Sequence, residues 1–168
     1  MLLDRSAIIA ALSALDRELG TLGSVAELHL VGGAVMCLVH QARPATKDID
    51  AWFQPGAVVR QAAARVAAEL QLPDDWLNDA AKGFIPAGAG FESWGDFAHL
   101  KVATADARTL LAMKVAAARS DSDAEDIRFL AQLLGLTTSE AVLDVALSFF
   151  PAAQLPIRAQ LLVEEMFP

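Results

Sequence analysis

Two periodic patterns of apolar and polar residues, one helical and one alternating, occur in the first part of the chain. Ser6–Leu19 repeats apolar side chains at helical spacing, which predicts a helix. Glu27–Val31 alternates as a strand does, and it runs directly into Gly32-Gly33. Ala34–His40 then predicts a short helix. The pattern therefore indicates a helix, a strand, a diglycine turn and a second helix, in that order.

A loop and an acidic strand come next. Gln41–Thr46 contains Pro44, which prevents regular structure, and is predicted to be a loop. Lys47–Phe53 alternates again. Its apolar residues share one face of the predicted strand, and Asp48 and Asp50 share the other face.

The middle of the chain is less regular. Residues 55–70 have a strong helical pattern, and Phe97–Ala103 is predicted to be a third strand. Between them, residues 72–95 contain two prolines and four glycines, which predicts a loop with one short strand near Gly83–Pro86. The pattern is helical from Ala105 onward, and helices are predicted at 110–118, 122–134, 137–150 and 156–166.

These elements predict an α/β (α+β) fold, in which a mixed sheet is flanked by helices and followed by a C-terminal helical segment. We assign residues 1–104 to the α/β core and residues 105–168 to the helical segment. No low-complexity linker separates the two parts, so we expect them to pack as one compact unit.

Composition narrows the function and the compartment. The formal net charge is -8, without a run of Lys or Arg, which argues against a long nonspecific nucleic-acid groove. An acidic chain can still hold a nucleotide through a divalent cation. The single cysteine, Cys37, excludes an internal disulfide and suits a reducing cytoplasm. No apolar run approaches the roughly 20 residues of a membrane span, so we expect a soluble cytoplasmic protein without a membrane partner.

The diglycine and the two acids form one chemical constellation. Glycines directly after a strand let backbone N–H groups approach phosphate oxygens. Carboxylates two residues apart on a strand project from one face, where they can share divalent cations. Each feature alone is weak, because a diglycine is commonly a turn and paired acids are commonly solvated. Their order and spacing favour a metal–nucleotide site.

In these residues the chain resembles the nucleotidyltransferase superfamily, which has the DNA-polymerase-β-like fold. More narrowly, it is similar to the small bacterial AbiEii-like nucleotidyltransferases, known mainly as toxins of toxin–antitoxin pairs. The matching residues are Gly32-Gly33, then Arg43-x-x-Thr46-x-Asp48-x-Asp50, and later Lys114, Arg119 and Asp123-x-x-Asp126. The resemblance spans roughly residues 27–134 and implies a mixed, mostly antiparallel sheet.

The resemblance also implies a role for each residue. Gly32 and Gly33 would cradle the triphosphate of an NTP, and Asp48 and Asp50 would bind Mg²⁺ or Mn²⁺. Arg43 and Thr46 would shape the loop above the site. Lys114 would contact phosphate or help to organise the acids.

Two alternatives stay open for the supporting residues. Lys114 lies in an otherwise apolar helix, so it either finds an anion or snorkels to the surface. Arg119, Asp123 and Asp126 either support the site or form a structural ion-pair cluster between two helices, which we favour slightly.

The chain departs from the family pattern in one respect. Active members usually add a third carboxylate from a neighbouring strand, and the predicted strand Phe97–Ala103 carries His99 and Lys101 but no acid. Nucleotide binding is therefore a firmer expectation than catalysis.

The leading hypothesis is an enzyme that transfers an NMP from an NTP to a hydroxyl of RNA, with tRNA the more specific acceptor, or of a protein. By resemblance, an antitoxin protein is a further partner. The alternative is a catalytically impaired module that binds a nucleotide or a protein. A dinucleotide-binding fold is disfavoured because no G-x-G-x-x-G motif is present. The sequence does not define the base, the acceptor or the oligomeric state.

Overall fold

The computed structural model describes residues 1–118 and 121–168. The chain divides into two compact units. Unit 1 comprises residues 1–83 and 91–104, and unit 2 comprises residues 84–90 and 105–168.

A mixed five-stranded sheet, in the order β5-β4-β2-β7-β6, is the framework of unit 1. Strand β2 pairs antiparallel with β4 and parallel with β7, and β4 pairs parallel with β5. A separate antiparallel pair joins β1 to β3. The strands are β1 (Leu3–Asp4), β2 (Ala26–Val31), β3 (Ala45–Thr46), β4 (Ile49–Gln54), β5 (Leu77–Asn78), β6 (Phe91–Trp94) and β7 (Leu100–Ala105).

The two central strands have one fully buried face. Leu28, Leu30, Ile49 and Ala51 each have 0 % of their surface exposed. The side chains between them in sequence point the opposite way, and Asp50 belongs to this second, partly exposed face. The alternation in the sequence thus decides which side of the sheet is open to a ligand.

Helices α1 (Arg5–Thr21), α2 (Gly32–Leu38) and α3 (Gly56–Leu70) complete the regular helices of unit 1 within the described residues. Helix α1 begins where the Asp4 side chain accepts a hydrogen bond from the Ala7 N–H at 2.8 Å. Helix α1 packs against α3 and contributes buried side chains every three or four residues.

Unit 2 is built around helix α4 (Ala107–Ala117), which packs against α5 (Asp121–Leu133), α6 (Ser139–Phe149) and α7 (Ile157–Met166). Side-chain oxygens cap two of these helices. Asp106 accepts from the Thr109 N–H at 2.8 Å, and Thr138 accepts from the Ala141 N–H at 3.2 Å. The described helices of both units are all too short or too polar to cross a membrane.

The mixed α/β fold and the helical C-terminal part are confirmed, but several local predictions are wrong. The sheet is not mostly antiparallel, since β2–β7 and β4–β5 are parallel and make up half of its four pairings. Segment 72–95 holds β5 and β6, whereas the strand predicted at Gly83–Pro86 is absent; residues 80–84 form a 3₁₀ helix. The predicted loop Gln41–Thr46 ends in β3, and the strand predicted at Phe97–Ala103 begins three residues later and ends two residues later than predicted.

Candidate functional site

Gly32 follows β2 and opens α2 in a conformation that favours glycine. Its φ angle is +68°, in the left-handed region, and this sharp turn leads from the strand into α2. Asp50 lies beside the turn, because Val31 pairs with Asp50 across the β2–β4 ladder. A Cβ atom at position 32 would lie 3.5 Å from Asp50 Oδ2. The diglycine and the acidic strand are therefore adjacent.

Gly33 packs against side chains of the segment that precedes β4. A Cβ atom here would lie 2.9 Å from Thr46 Oγ1 and 3.5 Å from Arg43 Nη1. Thr46 is almost completely buried, and its hydroxyl donates a hydrogen bond to the Asp48 carbonyl oxygen at 3.2 Å. The structure thus brings Arg43 and Thr46 to the diglycine, where a side chain at position 33 would force the buried Thr46 to shift.

Asp48 points to the same face as Asp50. Its Oδ2 accepts a hydrogen bond from Asn78 Nδ2 at 3.1 Å. Asn78 is the register partner of Asp50 in the parallel β4–β5 pair, and register partners project from the same face of a sheet. Both acids are half-buried, and their Cα atoms are about 7 Å apart at the rise of a strand.

Asn78 is a residue of this cluster that the sequence pattern did not reveal. It lies in a segment predicted to be a loop, and its strand contains only Leu77 and Asn78. The Asn78 side chain also accepts from the Ala80 N–H at 3.0 Å, where the 3₁₀ helix begins. Asparagine commonly opens helical turns in this way, and that preference was the signal available.

The donor set suits a hard divalent cation. Mg²⁺ prefers carboxylate oxygens and usually takes only one or two from the protein, with waters and substrate phosphates completing its shell. Asp48 and Asp50 supply two carboxylates beside a backbone turn that phosphate oxygens can approach. Among residues 1–118 and 121–168, no group of three or more His, Cys, Asp or Glu side chains is placed to hold a metal. The residues present fit a cation that is shared with a phosphate ligand.

The sheet face next to Asp50 carries aromatic side chains. His29, two residues before Val31 on β2, pairs with Trp52, and their ring centroids are 5.0 Å apart. Phe91 of β6 meets the His29 ring edge-on at 4.8 Å. Strand β7 has the sequence Leu-Lys-Val-Ala-Thr-Ala and so adds no carboxylate to this face. The third acid that the resemblance implies is not on this strand.

Lys114 lies in unit 2, in a nearly buried ion cluster. Its Nζ is 2.7 Å from Asp123 Oδ1 and 2.9 Å from Asp126 Oδ2. The side chains of these three residues are 12 %, 8 % and 2 % exposed, respectively. The anions that Lys114 contacts are therefore the two acids of α5, and the side chain does not reach out to the surface as a snorkelling lysine would. A phosphate contact for Lys114 stays a prediction, and Arg119 lies outside the described residues.

Cys37 belongs to the core and not to the site. It is 1 % exposed within α2, and burial raises the pKa of its thiol above the ordinary value. Burial disfavours the thiolate, which is the reactive form of cysteine.

Comparison of the chain with protein-family models, with curated proteins and with solved structures gave no match. The functional argument therefore depends on the residues and geometry of this chain.

Proposed function

We propose that unit 1 carries a divalent-cation-dependent nucleotidyl-transfer site. The observation that carries this proposal is the position of the Asp50 carboxylate beside the left-handed turn at Gly32, on the sheet face that Asp48 shares. A phosphate chain resting on the diglycine turn would lie next to the Asp50 carboxylate, with Asp48 two residues away in sequence on the same face. This is the juxtaposition that phosphate and a divalent cation require together.

Different residues bind the phosphates and the cation. The backbone N–H groups at Gly32 and Gly33 bind phosphate oxygens of the NTP, and the absence of Cβ atoms permits their close approach. Asp48 and Asp50 hold Mg²⁺ or Mn²⁺, which, when bound, neutralises phosphate charge and stabilises the leaving pyrophosphate. Arg43, which lies over Gly33, contributes positive charge at the same turn.

The reaction is a displacement at the α-phosphorus of the NTP. An acceptor hydroxyl oxygen forms a bond to this phosphorus, the bond to the bridging oxygen breaks, and pyrophosphate leaves. The hydroxyl proton passes to solvent or to a nearby base. Following the resemblance, the acceptor is an RNA such as tRNA, or a protein hydroxyl, and an antitoxin protein is the regulatory partner.

A second function is favoured by one observation. Strand β7 supplies no carboxylate, and β5 presents the amide of Asn78 where it meets β4. A site without a third acid gives less assistance to deprotonation of the acceptor. The alternative is therefore a module that binds nucleotide, or nucleotide and a partner protein, without transfer.

Transfer of label separates the two functions. The protein is incubated with Mg²⁺ and each of four α-labelled NTPs, with total RNA or total protein as acceptor. We expect label on one acceptor class with the wild type and with the exposed-acid control Asp74→Asn, and background with Asp48→Asn and Asp50→Asn. Stabilisation by Mg·NTP without label would support the binding module. Neither label nor stabilisation would contradict both functions.

A further inference from the structure

Asn78 lies in line with the centre of the proposed site. Across the sheet, Val31, Asp50 and Asn78 occupy one row of register partners on β2, β4 and β5. Asn78 is the only asparagine in the chain. On the strand next to the acidic strand, a neutral amide thus stands level with Asp50 and in contact with Asp48.

The Asn78 side chain makes three hydrogen bonds, and two of them fix the orientation of its amide; in the third, the amide nitrogen donates to the Asp75 carbonyl oxygen at 3.5 Å. The Ala80 N–H is a donor, so the atom it meets at 3.0 Å must be the carbonyl oxygen of the Asn78 side chain. The amide nitrogen must then face Asp48, where it donates to Oδ2 at 3.1 Å. The side-chain oxygen is already engaged by the backbone, so Asn78 presents a donor to Asp48.

We propose that Asn78 is a positioning residue of the site, which orients the Asp48 carboxylate and makes cation binding dependent on nucleotide. This inference rests on the proposed function. On the strand beside the acidic strand, Asn78 presents an amide level with Asp50, where a carboxylate would add a third acid to the pair. With two carboxylates and an amide that donates to one of them, the protein supplies few oxygens. The phosphates of the nucleotide must supply the others.

Partners that orient a metal-binding carboxylate typically change metal affinity by 10- to 100-fold when they are removed. Asn78→Ala removes all three hydrogen bonds. Asn78→Asp keeps the acceptor for the Ala80 N–H, but it replaces the donor to Asp48 and to the Asp75 carbonyl oxygen with a third carboxylate. The two variants therefore separate a role in folding the turn from a role in binding the cation.

The test is a titration with Mn²⁺, followed by the paramagnetic signal of the free ion, with and without a non-hydrolysable NTP analogue. We expect the wild type to bind Mn²⁺ tightly only with the analogue. Asn78→Ala should weaken this binding by about 10-fold or more. Asn78→Asp should bind Mn²⁺ without nucleotide about 10-fold more tightly than the wild type, since a third oxygen ligand is added.

Asp79→Asn is the matched control, because it changes the neighbouring residue and its exposed ion pair with Arg60 without removing a contact of Asp48. It should bind as the wild type does. Wild-type binding by Asn78→Ala, or no gain in nucleotide-free affinity for a folded Asn78→Asp, would overturn the role of Asn78 and leave the proposed function standing. If the wild type itself binds no Mn²⁺ with the analogue, the proposed function fails, and this inference fails with it.

Discussion

At the scale of single residues, Gly32 satisfies two separate requirements. Its left-handed backbone excludes most side chains, and the space where a Cβ would project is bordered by the Asp50 carboxylate. The diglycine and the paired acids could be recognised in the sequence because the order of strand, turn and acidic strand is local. Asn78 could not, since its relation to Asp48 depends on strand pairing over 30 residues.

Gly32→Ala should therefore have two effects, and Gly23→Ala only one. Gly23 also has a left-handed φ, of +64°, but no atom lies within 4 Å of a Cβ built there. Both substitutions should lower the free energy of unfolding by about 1–2 kcal/mol, the cost of a side chain in this conformation. Only Gly32→Ala should also weaken binding of Mg·NTP. Urea denaturation and nucleotide titration measure the two effects, and equal nucleotide affinity in both variants would count against a phosphate cradle at Gly32.

At the scale of elements, a helix or strand can be predicted from the sequence when its pattern of apolar positions is long. Helices α1, α3, α6 and α7 each repeat apolar positions over about three turns or more, and all four lie within a few residues of their predicted bounds. Strands β3 and β5 have two residues each, which is too short for an alternation to be visible. Their pairing partners are distant in sequence, so tertiary packing determines these strands.

The ion cluster of Lys114 acts at the scale of elements, because its ion pairs link α4 to α5. Removing one partner of a buried ion pair leaves uncompensated charge and typically costs about 3–5 kcal/mol. We expect Lys114→Met to lower the free energy of unfolding by about that amount. Lys101→Met is the matched control, because Lys101 is 74 % exposed and its ion pair with Glu27 is long, at 3.8 Å. The effect of this substitution on the free energy of unfolding should stay below about 1 kcal/mol.

Chemical denaturation of the two lysine variants under identical conditions provides the comparison. Equal unfolding free energies for Lys114→Met and Lys101→Met would refute a stabilising role for the cluster. A loss of label transfer in Lys114→Met, at a temperature where the variant is folded, would instead support the phosphate contact that the resemblance implies.

At the scale of the whole molecule, the net charge limits how an acceptor can be recognised. A chain with a net charge of -8 has no general attraction for a polyphosphate backbone. An RNA acceptor would therefore have to be recognised through a small number of specific contacts, and a protein acceptor faces no such barrier. The membership of residues 84–90 in the C-terminal unit was not predictable, because they join it only through the fold.

The central claim is that Asp48 and Asp50 hold a divalent cation against a nucleotide at Gly32-Gly33, and calorimetric titration with an NTP analogue tests it most directly. In the presence of Mg²⁺, we predict saturable binding to the wild type and to Asp74→Asn, and at least tenfold weaker binding to Asp48→Asn and Asp50→Asn, of the order seen when metal-site residues are altered. Chelation of Mg²⁺ should abolish the binding. Binding that persists unchanged in both site variants, or without the cation, would contradict the account.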